Sequence, residues 1–263
     1  MKITIITPTF NSEKTILRNL ESVNNQSYKN IEHLFIDNKS SDLTLQIIEE
    51  NSKKPHRIIS EKDRGISDAF NKGIQLASGE IIGILNSDDL FYSSKTLDLV
   101  ANAFNDDSLD FVYGDIFFDD PILGSNRRKP LECPITKAMP FNHPAFFVRK
   151  RFYDHLGLYD LSYKHAMDFE LISRMYTSPT KYYLKGQSIH NEPLTIMHAG
   201  GVSWKYELNS LDEIKRILIK KNFYDTSAKK ALLKRKLRIH LRDLLQKLKL
   251  TFLIKAWRYF KWR

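Results

Sequence analysis

The chain has a single cysteine, Cys133, among 263 residues. One thiol makes neither an intrachain disulfide nor a cysteine-built zinc site, so a reduced thiol in a reducing compartment is expected. Glycine and proline are also sparse, at 10 and 9 residues, which excludes collagen-like and low-complexity architectures. No window approaches the roughly 20 consecutive apolar residues of a membrane span. The first apolar run ends at Pro8 and has no small-residue cleavage site behind it, so no secretory leader is expected. What is present is an ordinary globular composition, 42% hydrophobic and 27% charged, in a chain long enough for a sizeable core.

The net charge of +10 is unevenly spread. Residues 214–263 hold 17 Lys/Arg against Asp225 and Asp243, a balance of +15, while residues 1–213 carry −5. A mildly acidic body joined to a strongly basic tail implies different partners for the two parts.

Short apolar runs at residues 3–7, 31–36, 56–60, 81–85 and 111–113 read as strands. Between them apolar residues recur at helical spacing, as in Ile16, Leu20 and Val23, or Ile66, Ala69, Phe70, Ile74 and Ala77. This alternation predicts a doubly wound, mostly parallel α/β sheet. Such sheets bind ligands at the carboxyl ends of their strands, and polar clusters follow Thr7, Ile36, Ser60 and Leu85 there. Residues 115–144 are irregular and proline-bearing, which predicts loops or short mixed strands. Helical patterning returns at 166–176 and again from Leu208 almost to the end.

Asn86-Ser87-Asp88-Asp89 is the sharpest local feature. Adjacent carboxylates directly after an apolar strand repel one another unless a cation sits between them and a ligand. Oxygen donors suit Mg²⁺ or Mn²⁺, with a diphosphate completing the shell. A helix-capping role is the competing reading, and the position in the predicted crevice disfavours it. Pro8-Thr9-Phe10-Asn11 could set an aromatic face beside a nucleobase, and the cluster from Asp37 and Asn38 to Asp42 could present acceptors to a base or ribose. Taken singly, each reads first as a turn and a cap. Asp68 and Lys72 are an i,i+4 pair of the kind usually left in solvent.

Taken in order, these segments resemble the family 2 glycosyltransferases of GT-A fold. The resemblance is carried by Ile5 to Asn11, Phe35-Ile36-Asp37, Glu61 to Gly73, Ala77-Ser78-Gly79-Glu80 and Leu85 to Asp89. It continues through His143 to Arg149, Gly157-Leu158-Tyr159-Asp160, Ala166 to Leu171 and Gly200-Gly201-Val202-Ser203. It implies a domain over 1–205, with a donor half to about 114 and an acceptor half beyond, followed by a helical tail at 206–263. It implies donor-nucleotide contacts from Pro8, Thr9, Phe10, Asn11, Asp37, Asn38, Asp63, Asp68, Lys72 and Asp88. It further implies a divalent metal, Mn²⁺ or Mg²⁺, on Asp89, with Asp88 and His198 beside it. Asp168 resembles the catalytic base, and His143 lies on the acceptor side. A UDP-sugar is the first expectation; the second carboxylate common after the second strand is replaced by Asn38, a departure that leaves GDP or dTDP donors open. The Gln-x-x-Arg-Trp element of processive synthases is absent, implying single-sugar transfer to a lipid-linked or lipopolysaccharide-core acceptor. Two other readings stand beside this one: a nucleotidyltransferase, and a nucleic-acid-binding module acting through the tail.

In the tail, Leu237, Leu241, Leu244, Leu245, Leu248 and Phe252 fall at helical spacing among lysines and arginines, and Trp257, Tyr259, Phe260 and Trp262 follow. A basic amphipathic helix with aromatics suits an anionic membrane surface, here the inner face of the cytoplasmic membrane. The alternatives are packing of the leucines on the catalytic domain or on a second subunit of a homo-oligomer. Nucleic acid is not expected, because the body is acidic. Removal of residues 214–263 is expected to leave the donor site formed.

Overall fold

The computed structural model describes residues 1–180, 182–201 and 205–261, and the side chains of all of these except Leu184, Tyr259, Phe260 and Lys261. The expected alternation is present: β1 (Ile3–Thr9), α1 (Ile16–Asn24), β2 (Ile31–Asp37), α2 (Thr44–Asn51), β3 (His56–Ser60), α3 (Ile66–Leu76) and β4 (Ile81–Ile84). β4 is followed by β5 (Leu90–Phe91), α4 (Thr96–Ala103), β6 (Phe111–Gly114), β7 (Ile116–Asp119) and β8 (Asn126–Arg128). β9 (Phe146–Arg149), α5 (Arg151–Leu156), α6 (Met167–Thr177), β10 (Gly186–Ile189) and β11 (Thr195–His198) complete the body. Three helices close the chain: α7 (Glu207–Lys220), α8 (Thr226–Lys247) and α9 (Thr251–Lys261).

The main sheet has the order β10-β6-β9-β4-β1-β2-β3. β1 to β4 pair in parallel, as does β10 with β6. β9 is the exception, antiparallel to both β4 and β6. Parallel pairing needs a crossover that returns the chain to the opposite edge. β9 is instead entered from the irregular stretch after β8, at the edge where β4 and β6 end, and so it runs backwards. A second sheet, β5-β11-β7-β8, is built on that same edge, where β5 begins directly after Asp89.

β1 passes through Pro8, two residues beyond the end expected for it. Leu85 donates its N–H to the Ile6 carbonyl, so the even-numbered positions of β1 face β4. β4 ends at Ile84, opposite Ile6, so nothing lies opposite Pro8 to miss its N–H.

Every residue of β1 and β2 is buried, because helices cover both faces. One core cluster joins Ile6, Phe70, Phe111, Phe152 and Met175 to Leu211, Ile214, Ile217, Leu218, Ala228 and Ile239. The opposite face packs Ile5, Val100, Phe104, Val112 and Phe147. α7 and the inner side of α8 therefore belong to the main core. A chain cut at residue 214 would lose part of that core. α9 docks on the second sheet through Arg258, whose guanidinium donates to Asp120 at 2.8 Å, both side chains being buried.

The leucine stripe does not pack on the body. Leu237, Leu241, Leu244 and Leu248 are 60, 56, 52 and 57% exposed. Leu233, Phe252 and Trp257 are exposed with them, whereas Leu245 turns partly inward. Trp262 lies outside the described residues, as do the side chains of Tyr259 and Phe260.

Candidate active site

The carboxyl ends of β1, β2 and β3 are tied together by Asp37. It is fully buried, and its two oxygens accept from Thr9 Oγ1 at 3.0 Å, Ser60 Oγ at 2.6 Å, Ser40 Oγ, and the Ser40 N–H at 2.9 Å. A carboxylate so fully satisfied has nothing left for a ligand. Asp37 and Thr9, expected at the nucleotide, tie together the loops at this edge, and Pro8 lies buried within β1. What those loops present outward is Phe10, 59% exposed, and Asn11 in the left-handed region at φ 49°. Asn11 holds its turn by accepting the Ser41 N–H and donating its own N–H to Ser40 Oγ. Beside them Asn38 accepts the Asp63 N–H at 2.9 Å, and Asp63 accepts the Gly65 N–H at 2.8 Å. Gly65 sits at φ 116°, where a side chain would be strained, and opens α3. Burial raises the Asp63 carboxyl above its ordinary value.

Asp68 and Lys72 also differ from their expected roles. Asp68 is buried and paired with Arg64 at 2.8 Å, which holds its carboxyl below the usual range. Lys72 bridges Glu61 at 2.8 Å and Asp68 at 3.8 Å. Together they brace the loop carrying Asp63.

The Asp-Asp loop divides its two carboxylates. Asp88 lines a cleft of about 280 Å³ with Thr15, Arg18, His198 and Gly201. Burial pushes its carboxyl up, partly offset by its own backbone N–H and by His198. A Cβ on Gly201 would come within 3.1 Å of Asp88 Oδ2, so a bare glycine keeps that oxygen accessible. Asp89 points inward and is 2% exposed. Its oxygens accept from Asn86 Nδ2 at 3.1 Å and from the backbone N–H of His198. Burial, and then the charge of Asp88, push it well above the carboxylate range. Asp89, expected as the metal ligand, thus lies buried beside β11, and Asp88 is the carboxylate lining the cleft. His198 does reach the cleft: its Nδ1 donates to the Asp88 carbonyl at 2.8 Å. Its Nε2 accepts from Arg18 at 3.2 Å and lies 3.4 Å from Asp119. Ser12 Oγ and Ser87 Oγ, 3.0 Å apart, join this loop to the one after β1.

The acceptor side reaches the same edge from the other direction. His143 lies just before β9, whose antiparallel course sets its start beside the end of β4. The His143 ring stacks on Phe70 at 5.6 Å and its Nε2 is 3.2 Å from the Tyr159 hydroxyl. Burial lowers its pKa, and the nearby Asp168 carboxylate opposes that shift. Asp168 stands in the first turn of α6, accepting the Phe169 N–H at 2.7 Å. Three further residues shape this side. Glu213 of α7 accepts the N–H groups of Lys164, His165 and Ala166, capping α6 from outside. Asn71 of α3 makes two hydrogen bonds to the Tyr159 backbone. Arg235 of α8 lies 3.9 Å from Glu207 and within electrostatic reach of Asp168. Lone polar residues in amphipathic helices carry no local signal of such long-range contacts, so the sequence marks Asn71 and Arg235 only as polar-face residues and Glu213 not at all.

The family model described as "Glycosyl transferase family 2" matches residues 4–175, which contain this whole arrangement apart from β11 and the closing helices. The chain belongs to family 2 of the glycosyltransferases. It is 29% identical over 197 residues to a PGL/p-HBAD biosynthesis glycosyltransferase of Mycobacterium bovis, covering 72% of this chain and 76% of that one. It is 32% identical over 125 residues to the UDP-Glc:alpha-D-GlcNAc-diphosphoundecaprenol beta-1,3-glucosyltransferase WfgD of Escherichia coli, covering 46% and 49%. The fold is similar to that of Staphylococcus aureus TarS residues 1–349 in complex with UDP-GlcNAc (TM-score 0.67, 20% identity, 95% of this chain and 76% of that one). It is also similar to that of the mannosyltransferase PcManGT of Pyrobaculum calidifontis in complex with GDP-Man and Mn²⁺ (TM-score 0.64, 15% identity, 98% and 82%). This glycosyltransferase thus has the GT-A fold, and the nucleotidyltransferase reading falls away. Among the described residues no three His, Cys, Asp or Glu side chains are gathered as a metal-binding group. The donors present still fit a hard cation that arrives with a diphosphate, which needs few protein oxygens. They are the cleft-facing Asp88 carboxylate and Asn86 Oδ1, which is buried with no hydrogen-bond partner.

Proposed function

We propose that this glycosyltransferase moves a single sugar, with inversion, from a nucleotide-sugar to a lipid-linked precursor of a bacterial surface glycan at the cytoplasmic face of the membrane. The observation that carries the reading is the Asp88 cleft after β4, with Asp168 in the first turn of α6 near His143, which enters β9 beside the end of that same strand. Phe10 offers its exposed ring to the nucleobase, and Asn11, Asn38 and Asp63 line the loops around it. Asn38 has its Oδ1 engaged, which turns its amide N–H₂ outward as a donor. A UDP-sugar is the first candidate donor, with GDP- and dTDP-sugars as the others to be screened.

Asp168 accepts the proton of the acceptor hydroxyl as its oxygen attacks the anomeric carbon from the face opposite the departing diphosphate. Attack from that face inverts the configuration. His143 and Tyr159 wall the acceptor side and keep water from competing for the same carbon. Mn²⁺ or Mg²⁺ held by Asp88, with Asn86 beside it, would offset charge on the leaving diphosphate. The test is Asp168→Asn, whose amide cannot take the proton. Donor affinity by calorimetry is expected unchanged while turnover falls on the order of a thousandfold. Near-normal transfer would refute the assignment.

A further inference from the structure

We propose that the outward side of α8 and α9 is a preformed binding face for an anionic lipid surface. At about 100° per residue, Leu233, Leu237, Leu241, Leu244 and Leu248 fall within an arc of roughly 80° on α8 and its C-cap. All five are exposed, while Ala228 and Ile239 on the opposite side are buried in the body. Apolar residues thus occupy two opposed sides of one helix, and only the inner side is explained by the fold. Phe252, Leu253 and Trp257 of α9 extend the outer strip.

Charge decides what covers it. Exposed Lys229, Lys236 and Lys247 border the leucines on one side and Lys234 and Arg238 on the other. The two acids of the region are both engaged: Asp225 caps α8 by accepting the Ala228 N–H, and Asp243 pairs with Arg242 at 2.8 Å. An apolar strip between two rows of cations matches the boundary of an anionic bilayer, with acyl chains below and phosphates at the edges. A second copy of this chain would set cations against cations. Duplex nucleic acid would leave the leucines in water.

The arrangement also assigns a direction to the acceptor, and this part rests on the glycosyltransferase reading. Arg235 lies on the side of α8 away from the leucines, and so does the start of α6 with Asp168, since Ile239 packs in one core cluster with Met167 and Phe169. The base is then about one helix diameter, roughly 10 Å, behind the lipid plane. A lipid-linked acceptor would keep its lipid in the bilayer while its sugar-diphosphate head reaches round α8 to Asp168.

The full-length protein is to be sedimented with vesicles of phosphatidylcholine containing about 30% phosphatidylglycerol, and with phosphatidylcholine alone, in about 0.1 M and about 0.5 M salt. Binding is expected to the anionic vesicles and to weaken severalfold at the higher salt. The double variant Leu237→Glu/Leu241→Glu alters only exposed positions, so its thermal midpoint should be unchanged while its partition falls about tenfold or more. UDP-sugar binding is followed on the same samples by thermal shift. Loss of vesicle binding with donor binding retained supports the proposal. Equal partition onto neutral vesicles, an unaffected double variant, preference for generic duplex DNA over vesicles, or a dimer that the variant dissolves without changing vesicle binding would each overturn it. Vesicle binding without binding of any nucleotide-sugar would leave the surface standing and remove the acceptor half.

Discussion

Glu213 offers the sharpest test of how the tail supports Asp168, the proposed base. α6 begins at Met167 without a side-chain cap of its own. Three N–H groups at its entrance are instead satisfied by one carboxylate from α7, at 3.0 Å from Lys164, 2.8 Å from His165 and 2.9 Å from Ala166. Hydrogen bonds to a charged acceptor contribute about 1.5–3 kcal/mol each, and water recovers part of what is lost when the acceptor is removed. Glu213→Ala is therefore expected to cost about 3 kcal/mol, and Glu213→Gln, which keeps one acceptor oxygen, about half that. In a chain of this size, 3 kcal/mol corresponds to a fall in Tm of about 6–12 °C. Burial works to raise the Glu213 carboxyl, but the three N–H donors and His165 outweigh it and hold the group below its usual value of 4.5. Its folded pKa being depressed, the stabilisation is present above the unfolded value and is lost as pH falls through the folded one. Urea unfolding of wild type and both variants, at pH 7 and in steps below 4.5, measures the effect. Turnover should fall with KM for the donor unchanged, since α6 carries Asp168 and no donor contact. A Glu213→Ala variant within 0.5 kcal/mol of wild type at pH 7, or one with the same acid profile, would refute the reasoning.

Asp88→Asn should leave the fold intact and abolish the Mn²⁺ dependence of donor binding, whereas Asp89→Asn should lower Tm, because it loosens the hold on β11. Thermal shift with and without the nucleotide-sugar, Mn²⁺ and EDTA separates the two, and equal behaviour would reject the division of labour between them. His33 is buried against Thr7 Oγ1 at 2.9 Å, and burial, then His56, push its pKa down to about 3. The unfolded chain takes up this proton below about pH 6.5 while the folded chain does not, so stability should fall there by up to about 1.4 kcal/mol per pH unit. His33→Asn should flatten that slope in urea titrations between pH 6.5 and 5.

The strand and helix order was legible because buried parallel strands are short apolar runs and the covering helices repeat every three or four residues. The loops carrying Phe10, Asn38, Asp63 and Asp88 were legible too, since polar clusters at strand ends are conspicuous. Illegible was which of two neighbouring carboxylates faces outward. Asp88 and Asp89 differ only in what surrounds them, and the donors that turn Asp89 inward, Asn86 and the His198 N–H, include one from more than a hundred residues away. Asp37 misled for a related reason: its partners Thr9 and Ser60 lie on separate strands. The reversal of β9 was hidden because direction depends on where the preceding loop leaves the chain, which periodicity does not record. Leu245 left the expected stripe because α8 is apolar on two sides, and spacing alone cannot say which side the body claims.

The backward course of β9 has a consequence for how such an enzyme can diversify. A strand running with its neighbours offers the working edge only what comes after it, as β1, β2, β3 and β4 do with the loops proposed to hold the donor. A strand running against them offers what comes before it. Residues 129–142 therefore lead into the working edge ahead of β9, just before His143. Insertions or replacements in that stretch would reshape what is glycosylated while leaving the nucleotide-sugar, its loops and the base at α6 in place. The topology separates the evolution of the acceptor from that of the donor.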